Sequence, residues 1–316
     1  MISIVIPVYN EKGIIPITAK RLDDLLKQNN IVYELIFVDD GSKDGSWEDI
    51  QNVTKDNSCV TGLQFSRNFG KEAAIFAGLS HARGDACAIM DCDLQHPPEK
   101  LLDMIALWEE GYEVINGVKA DRGKEGTGYH FAAKTFNKIM SRLSHFDMEA
   151  SSDFKLLDRR VIDALLVLQE RRTFFRALVP WSGFKSVDVP FTVQERTQGE
   201  TSFSTTDLIR YAFSNISAFS SAPLQLVTFV GFFFFLAATI LGLQTFFNWL
   251  EGTAADGFTT VILLLLMIGS MLMISLGIIG YYLSQIYIEL KGRPRYVIRQ
   301  TTPNIKEDTI NDKNIS

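Results

Sequence analysis

The sequence predicts an α/β protein: a mostly parallel sheet covered by helices, then juxtamembrane helices and two transmembrane helices. Three observations carry this expectation. Apolar strand-like runs alternate with helical patterns from Ile2 to Val118, the arrangement that builds a doubly covered parallel sheet. Carboxylates follow three of those runs, at Glu11, Asp39-Asp40 and Asp91/Asp93. No Asp, Glu, Lys or Arg occurs from Tyr211 to Leu250 or from Gly257 to Ile288.

The elements follow in order. Ile2–Val8 is an apolar strand ending in Pro7-Val8-Tyr9-Asn10-Glu11, and a helix runs from about Ile15 to Gln28. Tyr33–Val38 is the second strand and ends in Asp39-Asp40-Gly41-Ser42, before a helix near Trp47–Lys55. Val60–Phe65 and Lys71–His81 form the third strand and helix. Ala86–Met90 is the fourth strand, and Pro97-Pro98-Glu99 opens a helix to Trp108, because proline suits a first helical turn. Tyr112–Val118 is the fifth strand. Ala120–Gly128 is a polar loop, Phe131–Leu143 and Val161–Leu168 are helices, Phe184–Val193 is a late strand pair, and Glu195–Thr205 is a second polar loop.

In Asp207–Phe219, the residues Leu208, Tyr211, Ala212, Ile216 and Phe219 share one helical face. That fits a helix on the membrane surface or one docked on the catalytic domain. The charge-free stretches each hold the roughly 20 apolar residues needed to cross a bilayer. The spans are placed at 224–247 and 261–283, with 248–260 as the short link. The link carries Glu251 and Asp256 and no basic residue, whereas Lys291, Arg293, Arg295 and Arg299 follow the second span. The positive-inside rule puts that tail, the N-terminal domain and both termini in the cytosol and the link outside, in a plasma-membrane protein. The division is therefore 1–205 catalytic, 206–223 juxtamembrane, two spans with their link, and a 284–316 tail that turns disordered. Met1-Ile2-Ser3-Ile4 reads as a strand rather than the start of a signal peptide.

The net charge of −6 gives no support for nucleic-acid binding. Cys59, Cys87 and Cys92 have no paired metal spacing and read as reduced thiols. Cys92 lies between two aspartates but alternates with them, and so faces the core.

Parallel strand ends share one edge of a sheet, where open α/β folds place their ligands. The carboxylates at Glu11, Asp39 and Asp91/Asp93 converge there. Asp91 and Asp93 are hard oxygen donors suited to Mg²⁺ or Mn²⁺, which is commonly held by one or two carboxylates plus substrate phosphates. No Gly-x-Gly-x-x-Gly follows the first strand and no Gly-x-x-x-x-Gly-Lys-[Ser/Thr] occurs, which disfavours a nicotinamide dehydrogenase and a P-loop NTPase.

Pro7-Val8-Tyr9-Asn10-Glu11, Val38-Asp39-Asp40-Gly41-Ser42, Arg67-Asn68-Phe69-Gly70-Lys71 and Asp91-Cys92-Asp93-Leu94-Gln95-His96-Pro97-Pro98-Glu99 occur in that order. With Ser151-Ser152-Asp153-Phe154 and Glu195-Arg196-Thr197-Gln198-Gly199-Glu200-Thr201, they resemble glycosyltransferase family 2. Within it they look like the polyprenyl-phosphate (dolichyl-phosphate-mannose-synthase-like) branch, bacterial undecaprenyl-phosphate type. The resemblance implies a GT-A fold and inverting transfer from a nucleotide-diphosphate sugar to a polyprenyl phosphate at the cytosolic membrane face. Pro7, Tyr9, Glu11 and Asp39 would hold the nucleoside, with Lys71 lining that site. Asp91, Asp93 and Gln95 would place the metal. Arg196, Arg122 and Lys134 would meet the acceptor phosphate. Relatives also imply homo-oligomerisation.

Asp153 matches the position usually assigned to a catalytic base. A lipid phosphate, with a second pKa near 6, is already mostly dianionic at neutral pH and hardly needs one. Asp153 is therefore read either as a base or as an orienting carboxylate, with a helix N-cap before Phe154 as a third reading. Ser202 stands where many relatives carry Lys. UDP-glucose or UDP-N-acetylglucosamine is the favoured donor, with GDP-mannose the runner-up. A processive polysaccharide synthase would show Gln-x-x-Arg-Trp, and Gln169-Glu170-Arg171-Arg172-Thr173 has no Trp. A non-catalytic membrane sugar-binding scaffold would not need the intact metal motif.

Overall fold

The computed structural model describes residues 1–119, 151–168, 175–192, 222–251 and 258–303. The chain divides into two compact units, Met1–Ser202 with Pro294–Ser316, and Phe203–Arg293.

In the first unit, β1 (Ile2–Val8), α1 (Ile15–Gln28), β2 (Tyr33–Asp39), α2 (Ser46–Asp56), β3 (Val60–Phe65), α3 (Lys71–His81), β4 (Ala86–Ile89), α4 (Lys100–Glu109) and β5 (Val114–Lys119) alternate as the sequence predicts. The helix after Pro97-Pro98 begins at Lys100, a few residues later than expected. β6 (Ser151–Asp158), α5 (Arg159–Val167), α6 (Phe175–Trp181) and β7 (Ser186–Phe191) follow. The late strand pair is thus a single strand within the described residues. The predicted loop at 120–128 and helix at 131–143 lie outside them.

Eight strands form one sheet in the order β7-β5-β6-β4-β1-β2-β3-β8, where β8 is Ile298–Thr301. β3, β2, β1 and β4 are mutually parallel. β6 enters antiparallel between β4 and β5, and β8 lies antiparallel on β3. The result is a mostly parallel, mixed sheet. Residues of β2 and β3 are buried throughout, as expected for strands covered on both faces. α3 packs so closely on β1 that a Cβ at Gly78 would collide with the Val5 side chain, which explains the Ala-Gly-rich helix.

β6 decides one of the three readings of Asp153. The residue sits inside a strand, so it caps no helix. The cap belongs to Asp158, whose Oδ1 accepts from Arg160 N at 2.9 Å at the start of α5. The Pro294–Thr302 stretch also departs from a plain tail: it returns to the first unit, with Tyr296 stacked on Phe65 at 5.1 Å between ring centroids.

In the second unit, α7 (Ala222–Leu250) and α8 (Phe258–Leu290) are long apolar helices. Among the described residues, Met267–Leu290 is long and apolar enough to cross a membrane, with a mean hydropathy of 1.6, and Val227–Leu241 is a shorter apolar stretch.

Candidate active site

Two parts of the sheet edge are built differently. At the ends of β1 and β2, hydrogen bonds join the segment after β1 to the loop after β2 and the start of α2. Asn10 N donates to Ser42 Oγ at 2.9 Å, Glu11 N to Ser46 Oγ at 2.8 Å, Lys12 N to Asp44 Oδ2 at 3.0 Å and Gly13 N to Asp49 Oδ2 at 2.7 Å. Four successive amides are thereby satisfied by side chains from the loop after β2 and the first turn of α2, and Lys43 N returns a bond to Asn10 Oδ1 at 3.1 Å. This seam fixes where Pro7, Tyr9 and Glu11 emerge. Tyr9 is 48% exposed at its rim.

Asp39 and Asp40 diverge. Asp39 is fully buried and accepts from Ser42 N at 2.9 Å and Gln64 Nε2 at 3.0 Å. Asp40 accepts from Phe69 N at 2.6 Å and Gly70 N at 2.9 Å, so it anchors the loop that enters α3. Burial raises its pKa against those two bonds. Gly41 between Asp40 and Ser42 has φ +71°, and a Cβ there would lie 2.5 Å from the Arg67 carbonyl carbon, so a side chain is excluded.

The ends of β4 and β6 are held by charge instead. Lys71, at the first turn of α3, puts its Nζ 2.5 Å from Asp91 Oδ1 and 2.8 Å from Asp153 Oδ2. Arg176 on α6 grips Asp153 from another side, Nε to Oδ1 at 2.6 Å and Nη2 to Oδ2 at 2.9 Å. The Asp153 side chain is 6% exposed. Burial alone would raise its pKa, but the Arg176 hydrogen bond and the Lys71 and Arg176 charges hold it far below the usual carboxylate range. Burial likewise opposes the charge on Lys71, and Asp91 and Asp153 reverse that effect and raise its pKa. Next to Lys71, Glu72 accepts from Phe175 N at 2.8 Å, and burial pushes it up to about 7.

The Asp91–Gln95 segment turns sharply. Leu94 has φ +58°, an uncommon conformation for a non-glycine residue, and Gln95 N donates to Asp93 Oδ1 at 3.1 Å. Asp91 N donates to Nδ1 of His96, whose ring stacks on Phe154 at 4.9 Å. Burial lowers the His96 pKa. Cys92 is buried, and its thiol pKa is raised by burial, in keeping with a core side chain.

The donor chemistry fits a hard divalent cation. Asp91 and Asp93 supply carboxylate oxygens on one turn, and Asp91 already sits against a cationic group. Among the described residues no three His, Cys, Asp or Glu side chains gather as a self-sufficient metal cage. A cation here would share its shell with oxygens of a substrate, the arrangement typical of Mg²⁺ beside phosphates.

The structure brings Asp91, Asp153 and Lys71 into one ion-paired group and puts Asp39 on a separate hydrogen-bonded one. Lys71, expected beside the nucleotide, bridges Asp91, just beyond β4, and Asp153 on β6. Arg122, Lys134 and Arg196 lie outside the described residues. Sequence reasoning missed Arg176 and Gln64. The available signals were a single Arg inside Phe174-Phe175-Arg176-Ala177-Leu178-Val179 and a single Gln between Leu63 and Phe65 in a strand pattern.

The profile of the family described as Glycosyl transferase family 2 matches residues 3–166. An uncharacterized glycosyltransferase of Bacillus subtilis (strain 168), YkcC, is 36% identical over 305 residues, covering 95% of this chain and 93% of that one. The bactoprenol glucosyl transferase of Shigella phage SfII is 33% identical over 302 residues, covering 95% of this chain and 98% of its own. Among solved structures, glucosyl-3-phosphoglycerate synthase from Mycobacterium tuberculosis, in complex with Mn²⁺, uridine diphosphate and phosphoglyceric acid, aligns with a TM-score of 0.48. The identity is 16%, over 69% of this chain and 76% of that one. The matched profile spans β1 to most of α5 and includes Asp39, Asp91, Asp93 and Asp153; the chain is a glycosyltransferase and belongs to glycosyl transferase family 2.

Proposed function

We propose that this enzyme transfers a hexose or N-acetylhexosamine, with inversion, from a nucleotide-diphosphate sugar to undecaprenyl phosphate at the cytosolic membrane face. UDP-glucose and UDP-N-acetylglucosamine are the favoured donors. The observation that carries the reading is the Arg176–Asp153–Lys71–Asp91 ion chain, which ties the metal-type carboxylate that follows β4 to the carboxylate of β6. The acceptor is supported by the similarity over 95% of the chain to a protein named bactoprenol glucosyl transferase.

In this reading Pro7, Tyr9, Glu11 and Asp39 hold the nucleoside. Asp91, Asp93 and Gln95 hold Mg²⁺ or Mn²⁺ against the diphosphate. When bound, the metal stabilises the charge that the leaving nucleotide gains as its bond to the sugar breaks. The acceptor phosphate attacks the anomeric carbon from the opposite face, and the bonding pair leaves with the nucleoside diphosphate. No proton has to move if the phosphate enters as a dianion, and its second pKa near 6 makes that the main form at neutral pH.

Asp153 then acts as a fixed negative charge. Two cations hold it ionised, and a carboxylate of such low basicity is a poor proton acceptor. It orients the sugar and favours the positive charge that builds at the anomeric centre. Lys71 keeps Asp91 and Asp153 close together despite their like charge. Arg196, helped by Arg122 and Lys134, receives the acceptor phosphate, for which a guanidinium offers bidentate geometry. α7 and α8 form two spans that bring the chain to its lipid substrate, with the 248–260 link outside and homo-oligomers as the working form.

A transfer assay tests the reading. Radiolabelled sugar from UDP or GDP donors is offered with undecaprenyl phosphate, beside an Asp93→Ala control. Label should enter the lipid fraction with the native protein and not with the variant. No transfer from any common UDP or GDP sugar would overturn the proposal.

A further inference from the structure

We infer that Gln300, on the strand that follows the second apolar helix, is a positioning residue for the nucleoside end of the donor site. The inference rests on the reading that Asp39 holds the nucleoside. Asp39, Gln64 and Gln300 stand in register on β2, β3 and β8: Asp39 pairs with Gln64, and Gln64 with Gln300. Their side chains form one ladder. Gln300 Nε2 donates to Gln64 Oε1 at 2.8 Å, and Gln64 Nε2 donates to Asp39 Oδ2 at 3.0 Å.

The ladder has a fixed sense. An ionised carboxylate only accepts, so it takes the Gln64 amide by its NH₂ end. The Gln64 carbonyl is then left facing β8 and needs a donor, which Gln300 supplies. Gln64 is 8% exposed and Asp39 is fully buried, so the chain of bonds runs through a region where misaligned polar groups are costly. With Ser42 N on its other oxygen at 2.9 Å, Asp39 is held at both oxygens.

β8 itself does not depend on the Gln300 amide. Ser66 N donates to Val297 O at 2.9 Å, Thr302 N to Gly62 O at 3.0 Å and Gly62 N to Thr302 Oγ1 at 2.9 Å. Tyr296 stacks on Phe65, and Arg295 lies over the Phe76 ring at 4.7 Å. Gln300 is exposed on this anchored edge strand. Removing its amide should therefore leave the strand in place and release only the ladder.

The experiment uses the full chain in detergent with UDP and GDP as probes, read by calorimetry, and donor turnover read as KM and kcat separately. Gln300→Leu should raise the nucleotide Kd and the donor KM on the order of fivefold, the size of one net hydrogen bond, and leave kcat and the melting temperature unchanged. Gln64→Leu should weaken binding further, and the double variant should match Gln64→Leu alone, because the two residues act in series. If Gln300→Leu fails to fold, Gln300→Glu replaces it, since an ionised carboxylate of similar shape cannot donate to Gln64. Asp39→Asn separates the two ideas. If it weakens nucleotide binding while the Gln300 variants do not, this inference falls and the nucleoside reading stands. If Asp39→Asn leaves binding unchanged, the nucleoside reading falls and takes the ladder's role with it. A Gln300 variant that lowers kcat and the melting temperature at constant KM would show a merely structural strand and also overturn the inference.

Discussion

The two sides of the sheet edge reach order by different physics. At the ends of β1 and β2, side-chain oxygens of Ser42, Ser46, Asp44 and Asp49 take successive backbone amides. At the ends of β4 and β6, Lys71 and Arg176 hold Asp91 and Asp153 by charge. Four bonds in a row tie these segments together, so the first side is a fixed frame. Ion pairs can be exchanged for other ions, so the second side suits a place where a metal, a diphosphate and a sugar arrive and leave. The contrast fits a division between recognition and chemistry.

The largest expected effect breaks the charged side at its centre. Asp91→Asn keeps the shape but removes the charge shared by Lys71 and the proposed metal, and kcat should fall by about 10²–10³-fold with donor binding only weakened. Steady-state kinetics over a Mg²⁺ and Mn²⁺ titration check it. An unchanged kcat would place the chemistry elsewhere.

Arg176→Met comes next. Asp153 would keep Lys71 but lose its bidentate partner, a half-exposed guanidinium. Breaking a fully buried pair typically costs about 3–5 kcal/mol; here the exposure of Arg176 and the remaining lysine should reduce that well below this range. A lower melting temperature and a kcat loss of about tenfold or more are expected, with Arg176→Lys recovering only part because lysine lacks the fork.

The pH profile sharpens the role of Asp153. Its folded pKa is depressed, so its contribution to stability is complete above the unfolded value of about 3.9 and is lost only as pH falls through the lower folded value. Transfer should therefore show no ascending limb from Asp153, only one near pH 6 from the acceptor phosphate. Glu72 behaves in the opposite way. Burial raises it to about 7, so stability should fall as pH rises from about 4.3 to 7 and level off above. Glu72→Gln should flatten that slope in melting curves recorded across the same range.

The smallest effect belongs to the hydrogen-bonded side. Ser46→Ala removes the bond to Glu11 N and another to Asp44 Oδ1 at 2.6 Å. A cost of about 1 kcal/mol in stability is expected, with kcat retained, because the three neighbouring amide bonds keep the seam closed. A loss of kcat comparable to that of Arg176→Met would erase the distinction between frame and chemistry.

Much of this edge was legible in the residues themselves. Glu11, Asp39 and Asp91 follow parallel strands, and alternating βα units put all such ends on one side whatever the tertiary details. Asp153 was legible as a motif but not as a strand residue. β6 runs antiparallel between β4 and β5, and that insertion depends on partners far away in the chain. Arg176 was hidden for the same reason: its partner lies on another element, and an arginine in an apolar helix gives no local sign of which carboxylate it will meet.

What the sequence alone determined is the αβ alternation, the carboxylates at its strand ends and the charge-free runs of the second unit, because periodicity, turn chemistry and hydropathy are local properties. What only the tertiary structure decided is who partners whom: Lys71 with both Asp91 and Asp153, Arg176 with Asp153, and β8 with β3. Those pairings join residues distant in the chain and are chosen by how whole strands and helices pack.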